Sequence, residues 1–220
     1  MFEQTTTRHK VGVWIAGAKG DIASTLMVGT LALDQGLVSE AGLTTALPPM
    51  NQLPLAPTDR LVFGGVDINP QPLAAAAESL YQTSRTVSRE ILDAAAPALA
   101  RVDEDILIEG AMAWKPSGPK PGTPTLLDLG ERLRTHIRSF REKHRLSHVV
   151  AVNLTSSEPE PNPVPEHDTL EGLQGLIDEN RKDLVTPGIL YAYATMSEGC
   201  SYLNFTPNPG TTLGAIEALA

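Results

Sequence analysis

Residues 11–33, VGVWIAGAKGDIASTLMVGTLAL, decide the fold. Val11 to Ala16 is a short apolar run of the kind a buried strand takes. Gly17-Ala18-Lys19-Gly20 follows as a glycine-rich turn, and from Asp21 the apolar residues return at helical spacing. That spacing predicts a helix with Ile22, Leu26, Gly29 and Leu33 on one side and Thr25 and Thr30 elsewhere. Strand, glycine turn and helix together present backbone N–H groups and the positive end of a helix to a phosphate. A tight turn needs positive φ, and a diphosphate reaches the backbone only where no Cβ intrudes. The pattern is G-x-x-G-x-x-A (Gly17, Gly20, Ala23), looser than G-x-G-x-x-G. An ordinary strand-to-helix turn packed through small residues is the alternative.

Working outward, Gly36 is a stop for that helix. The stretch from about 36 to 60 carries Pro48, Pro49, Pro54 and Pro57 and reads as a loop insertion. A second strand, Arg60 to Asp67, ends in an acid. An Asp there can accept hydrogen bonds from a ribose diol and would repel a 2′-phosphate, which favours NAD over NADP. Gly20 and Asp67 are 47 residues apart, against a usual offset of about 20, and the insertion accounts for the difference. The alternative for Asp67 is a helix N-cap or a turn residue ahead of Asn69-Pro70.

Beyond it, the alanine- and leucine-rich stretch 71–101 predicts helices over 71–82 and 86–96, interrupted by Pro97. Asp105 to Glu109 reads as strand or loop, and Lys115 to Pro124 as a surface loop. Thr125 to Arg145 predicts a long amphipathic helix with Leu129, Leu133, Ile137 and Phe140 as its stripe. Its basic residues, Arg132, Arg134, Arg138, Arg141, Lys143 and Arg145, read as a solvated outer face. Ser147 to Thr155 is the clearest strand after the first, and it ends in Asn153, Thr155, Ser156 and Ser157. Ligands sit beyond the carboxyl ends of parallel strands, so these side chains belong near the glycine loop. A stiff loop (Glu158 to Pro165) follows, then a helix over Asp168–Asn180 capped by Asp168. Thr186-Pro187 opens another helix, Cys200 to Phe205 is a strand, and a last helix begins at Thr211. Alternating strands and helices make this an α/β chain, Rossmann-like and doubly wound, with a mainly parallel sheet.

Composition narrows the function. A formal net charge of −9 argues against a nucleic-acid partner. The single cysteine, Cys200, excludes an internal disulfide framework and fits a reducing, cytoplasmic setting. The polar start, MFEQTTTRHK, has no secretory signal, and no run is apolar enough to cross a bilayer. His9, His136, His144, His148 and His167 lack metal-ligand spacing, so no metal is expected. Tyr191 and Tyr193 form Y-x-Y, not the Y-x-x-x-K of a short-chain dehydrogenase.

Four segments in order resemble the myo-inositol-phosphate synthase family: IAGAKGDIASTL, FGGVDIN, VVAVNLTSSEP and YLNFTPNPGTTLGAIEALA. The resemblance covers most of residues 10–220. It implies NAD as cofactor, held by Gly17, Ala18, Lys19, Gly20, Asp21, Ile22, Asp67, Ile68, Asn153, Thr155, Ser156 and Asn204. It implies the conversion of glucose 6-phosphate to myo-inositol phosphate by oxidation, intramolecular aldol closure and reduction. Inositol and phospholipid biosynthesis and a homo-oligomeric full-length protein also follow from it. The loop departs from the family at Lys19, Asp21, Ile22 and Ala23, and Lys19 is placed to pair with the diphosphate. The family's substrate-holding lysines lie beyond the NFTP motif. The expectation is therefore a 1–220 NAD-binding part that lacks the substrate and oligomerisation portion, leaves the catalytic residues unassigned, and is inactive alone. Two other readings stay open: a non-catalytic NAD-binding module, and a different dehydrogenase on the same fold.

Overall fold

The computed structural model describes residues 9–112 and 122–220. The polar start up to residue 8 and most of the Lys115–Pro124 loop lie outside the described residues. Five strands, β1 (Val11–Ala16), β2 (Leu61–Asp67), β3 (Ile106–Ile108), β4 (His148–Asn153) and β5 (Ser201–Asn204), form one sheet in the order β3-β2-β1-β4-β5. Every pairing is parallel. The ambiguous Asp105–Glu109 segment thus contributes an edge strand.

Side chains alternate between the two faces of a strand, and the core divides accordingly. On one face Ile15, Phe63 and Ile106 pack with residues of α1 (Asp21–Asp34), α2 (Leu73–Ser84) and α3 (Arg89–Asp103). On the other, Trp14, Ala16, Val149 and Ala151 pack with α4 (Leu126–His144), α5 (Leu170–Asp178), α6 (Pro187–Ser197) and α7 (Gly214–Glu217). This is the doubly wound α/β sandwich that the alternation predicts. The 36–60 stretch between α1 and β2 holds only short 3₁₀ turns, at Thr44–Ala46, Met50–Gln52 and Thr58–Arg60.

The long helix α4 follows its sequence closely. Thr125 caps it in a capping box with Asp128, and Leu129, Leu133, Ile137 and Phe140 are all buried. A Cβ at Gly12 or Gly64 would meet the Phe140 ring at 2.9 and 2.8 Å, so two adjacent strands are thinned to seat one aromatic. The helix's basic residues face the protein's own acids. Arg134 and Arg138 share Glu198, Arg132 pairs with Glu109, and Lys143 with Asp105.

Three expectations are corrected. The buried side of α1 is Ala23, Ser24, Met27, Val28, Thr30 and Ala32, while Ile22 and Leu26 are exposed. Small residues face inward because the helix sits close over the sheet. Pro97 does not interrupt the second of the two predicted helices. It lies within α3, on the exposed side, while Leu92, Ala95, Ala98 and Leu99 anchor the helix on both sides of it. Thr169, not Asp168, caps α5, because its hydroxyl accepts from the Gly172 N–H; Asp168 belongs to the preceding 3₁₀ turn. No described helix is long and apolar enough to cross a membrane.

Candidate dinucleotide site

The sheet order reverses at β1. The chain leaves β1 for β2 and β3 on one side and returns to β4 and β5 on the other. Segments leaving β1 and β4 therefore diverge to opposite faces and open a crevice at the carboxyl ends of the strands. Ala16 and Asn153 are register partners at its floor, and Asn153 pairs in turn with Asn204.

The glycine turn is fixed by backbone bonds. Gly17 and Ala18 both donate to Val66 O, at 3.0 and 3.2 Å, and Gly20 N–H donates to Gly17 O at 3.1 Å. Gly17 has φ +82°, and a Cβ there would lie 3.1 Å from Leu154 O and 3.2 Å from Thr155 N. Gly17 is thus required both by its conformation and by the approach of the segment leaving β4. Gly20 is the N-cap of α1 and brings no side-chain cap. The N–H groups of Asp21, Ile22 and Ala23 have no acceptor inside the helix, so they are available to an anion.

Asp67 is buried at the end of β2. Its Oδ2 accepts from Lys19 N–H at 2.7 Å and its Oδ1 from Asn69 N–H at 2.7 Å. The turn-residue alternative is therefore realised, together with a brace on the glycine turn. Each carboxylate oxygen keeps a further lone pair for another donor. Lys19 does not extend towards the open side of the turn. Its ammonium lies 2.6 Å from Gln71 O and 2.8 Å from Asp103 Oδ1, with the side chain 2% exposed. The diphosphate pairing expected of Lys19 is corrected to an internal ion pair. Asp21, Ile22 and Ile68 are exposed at this end of the sheet.

Across the crevice, Asn153 is fully buried. Its Oδ1 accepts from Thr155 N–H at 3.1 Å and Thr155 Oγ1 at 2.8 Å. Its Nδ2 and the Tyr202 hydroxyl are both buried and interact with each other, and neither has another hydrogen-bond partner among the described residues. Asn204 turns instead to the loop after β5, accepting from Thr206 and donating to Asn208 O at 2.8 Å. Ser156 is exposed, and its carbonyl accepts from Asn208 Nδ2 at 3.1 Å.

A family profile described as myo-inositol-1-phosphate synthase, for that family's NAD-binding segment, matches residues 11–220. The chain belongs to the myo-inositol-1-phosphate synthase family. Inositol-3-phosphate synthase 1 of Bacteroides thetaiotaomicron is 28% identical over 215 residues, covering 90% of this chain and 48% of that protein. The enzyme of Trypanosoma brucei brucei is 30% identical over 195 residues, covering 84% of this chain and 36% of its own length. The chain thus spans about half the length, or less, of these relatives. The crystal structure of inositol-3-phosphate synthase from Caenorhabditis elegans superposes with a TM-score of 0.78 at 19% identity, over 96% of this chain and 47% of that one. That likeness shows the shared fold.

The loops after β4 and β5 of this synthase-family chain each hold a residue that sequence reasoning missed. Both oxygens of Glu158 lie within 3.1 Å of Gly188 N, in the first turn of α6, and burial pushes its carboxyl above the usual range. Asn208, 3% exposed, accepts from Glu158 N–H at 2.8 Å and ties the two loops together. The signal was an acid in EPEPNP and an asparagine between two prolines, both of which read as loop chemistry. Among the described residues no His, Cys, Asp or Glu group could hold a metal. Cys200 is buried, and its thiol is pushed up to about 11.

Proposed function

We propose that this chain supplies the NAD-binding part of an inositol-3-phosphate synthase that isomerises and cyclises glucose 6-phosphate in the cytoplasm, as a homo-oligomer. The observation that carries the reading is the bare N-terminus of α1, set behind a Gly17 turn where any side chain would be strained, at the reversal of strand order. The residues fit the cofactor. The amides after Gly20 would hold a diphosphate, and Asp67 retains acceptor capacity for a ribose diol. Bound there, NAD supplies reversible hydride acceptance. The chain's own groups provide binding and orientation: fixed amides facing the anion, and a buried carboxylate bracing the turn. Ile22 and Ile68 provide apolar contact for a flat ring.

Calorimetric titration with NAD⁺ and NADP⁺ tests this. NAD⁺ binds more tightly, and Asp67→Ala weakens NAD⁺ by ~1–3 kcal/mol through the lost diol contact and the loosened turn. Equal affinity for the two dinucleotides removes the assignment of Asp67, and no binding of either removes the cofactor.

A further inference from the structure

We propose that Asp103 is a positioning residue for the dinucleotide turn and acts on it through Lys19. The inference rests on the NAD reading above. A turn that grips a diphosphate by its backbone must have those amides oriented before the ligand arrives. Lys19, between Ala18 and Gly20, is held at both ends. Its N–H donates to Asp67 Oδ2 at 2.7 Å, and its ammonium lies between Asp103 Oδ1 at 2.8 Å and Gln71 O at 2.6 Å.

Asp103 does more than neutralise the cation. The same Oδ1 accepts from Leu73 N–H at 3.2 Å, in the first turn of α2, where Pro72 supplies no side-chain cap. Asp103 itself closes α3. One carboxylate thus joins the turn after β1, the start of α2 and the end of α3. The Lys19 side chain is 2% exposed and that of Asp103 27%. A charge-assisted contact whose cation is this sheltered is screened much less than a surface pair. The positive charge of the turn is therefore committed to the helical layer beneath it, and anion binding is left to backbone amides.

The test compares Asp103→Asn, which keeps an acceptor for Leu73 N–H, with Lys19→Met, which keeps the apolar stem. Each raises the Kd for NAD⁺ about tenfold, the scale of a charge-assisted contact. The double variant is no weaker than the weaker single variant, because both substitutions break one strut. The fold-loss is the same at low and high salt. In the unsubstituted protein, hydrogen exchange shows that NAD⁺ adds protection at Leu73 and at residues 101–103 as well as at the turn. Unchanged affinity in Asp103→Asn overturns the proposal. So does a loss in Lys19→Met that vanishes in high salt, which would return the ammonium to the phosphate. If either variant fails to fold, exchange on the unsubstituted protein decides, and protection confined to residues 17–24 overturns it. A protein that binds no NAD⁺ overturns the functional reading and this one together, whereas binding that the variants leave intact overturns this one alone.

Discussion

At the scale of single residues, the two glycines of the turn separate folding from binding. Gly17 combines φ +82° with a backbone oxygen 3.1 Å from any added Cβ. Gly17→Ala is expected to cost ~1–3 kcal/mol of stability, measured by chemical denaturation, and to abolish NAD⁺ binding. Gly20 has φ −75°, and its nearest obstacle is Gly17 O at 3.3 Å. Gly20→Ala should leave stability within about 1 kcal/mol and still weaken NAD⁺ binding, since the new methyl faces the ligand. A pH effect belongs at this scale too. Trp14 Nε1–H donates to His136 Nδ1 at 3.1 Å, which requires that nitrogen to be unprotonated. Burial holds His136 below its usual 6.5, with Lys143 adding to the effect and Asp105 opposing it. The unfolded chain then takes up a proton where the folded chain does not. Stability is full above about 6.5 and falls as the pH drops towards the folded value. Thermal melts between about pH 7 and pH 5 should show this slope, and His136→Gln should make it shallower. An identical slope in the variant rules out His136 as its source.

At the scale of elements, the sequence was legible where side chains of unequal size share a face. The stripe of α4 read correctly because large apolar residues recur among charged ones, and the β1 and β4 runs because they are almost wholly apolar. The face of α1 did not. Ala23, Ser24 and Thr30 carry little hydrophobic signal, yet they are what allows the helix close to the sheet. The exposed Ile22 and Leu26 carried the pattern instead. Lys19 was misread for a related reason: sequence places its Cα beside the phosphate position but says nothing of where a long stem ends. The acceptors that claim it, Gln71 and Asp103, are far along the chain. Pro97 is the third case. Local propensity ends the helix there, but Leu99 beyond it is fully buried in the cluster that holds Met27 and Val28 of α1, and packing outweighs the lost hydrogen bond. The local cost is still present. Pro97→Ala, on an exposed face, should restore the bond to Asp93 O and stabilise by ~1–3 kcal/mol. A drop in the denaturation midpoint would show instead that the proline's rigidity is worth more than the bond.

For the whole molecule, the balance lies between a formal charge of −9 and an anionic ligand. Diffuse repulsion from exposed carboxylates is screened over about 8 Å at physiological salt. The amides of one helix end act at contact distance, well inside that length, and are screened much less. The local term should therefore prevail, and affinity for NAD⁺ should depend only weakly on salt. The crevice is built from both halves of the sheet, with Gly17 and Asp67 on one side of the reversal and Asn153 on the other. A ligand spanning it stabilises both halves against unfolding at once. At a NAD⁺ concentration of about one hundred times Kd the linkage contributes about 2.7 kcal/mol. For a chain of this length that is an increase in Tm of roughly 5–10 °C, with a single transition retained. If NAD⁺ instead splits the melt into two transitions, it grips the β1–β2–β3 half alone, and Asn153 has no part in the site.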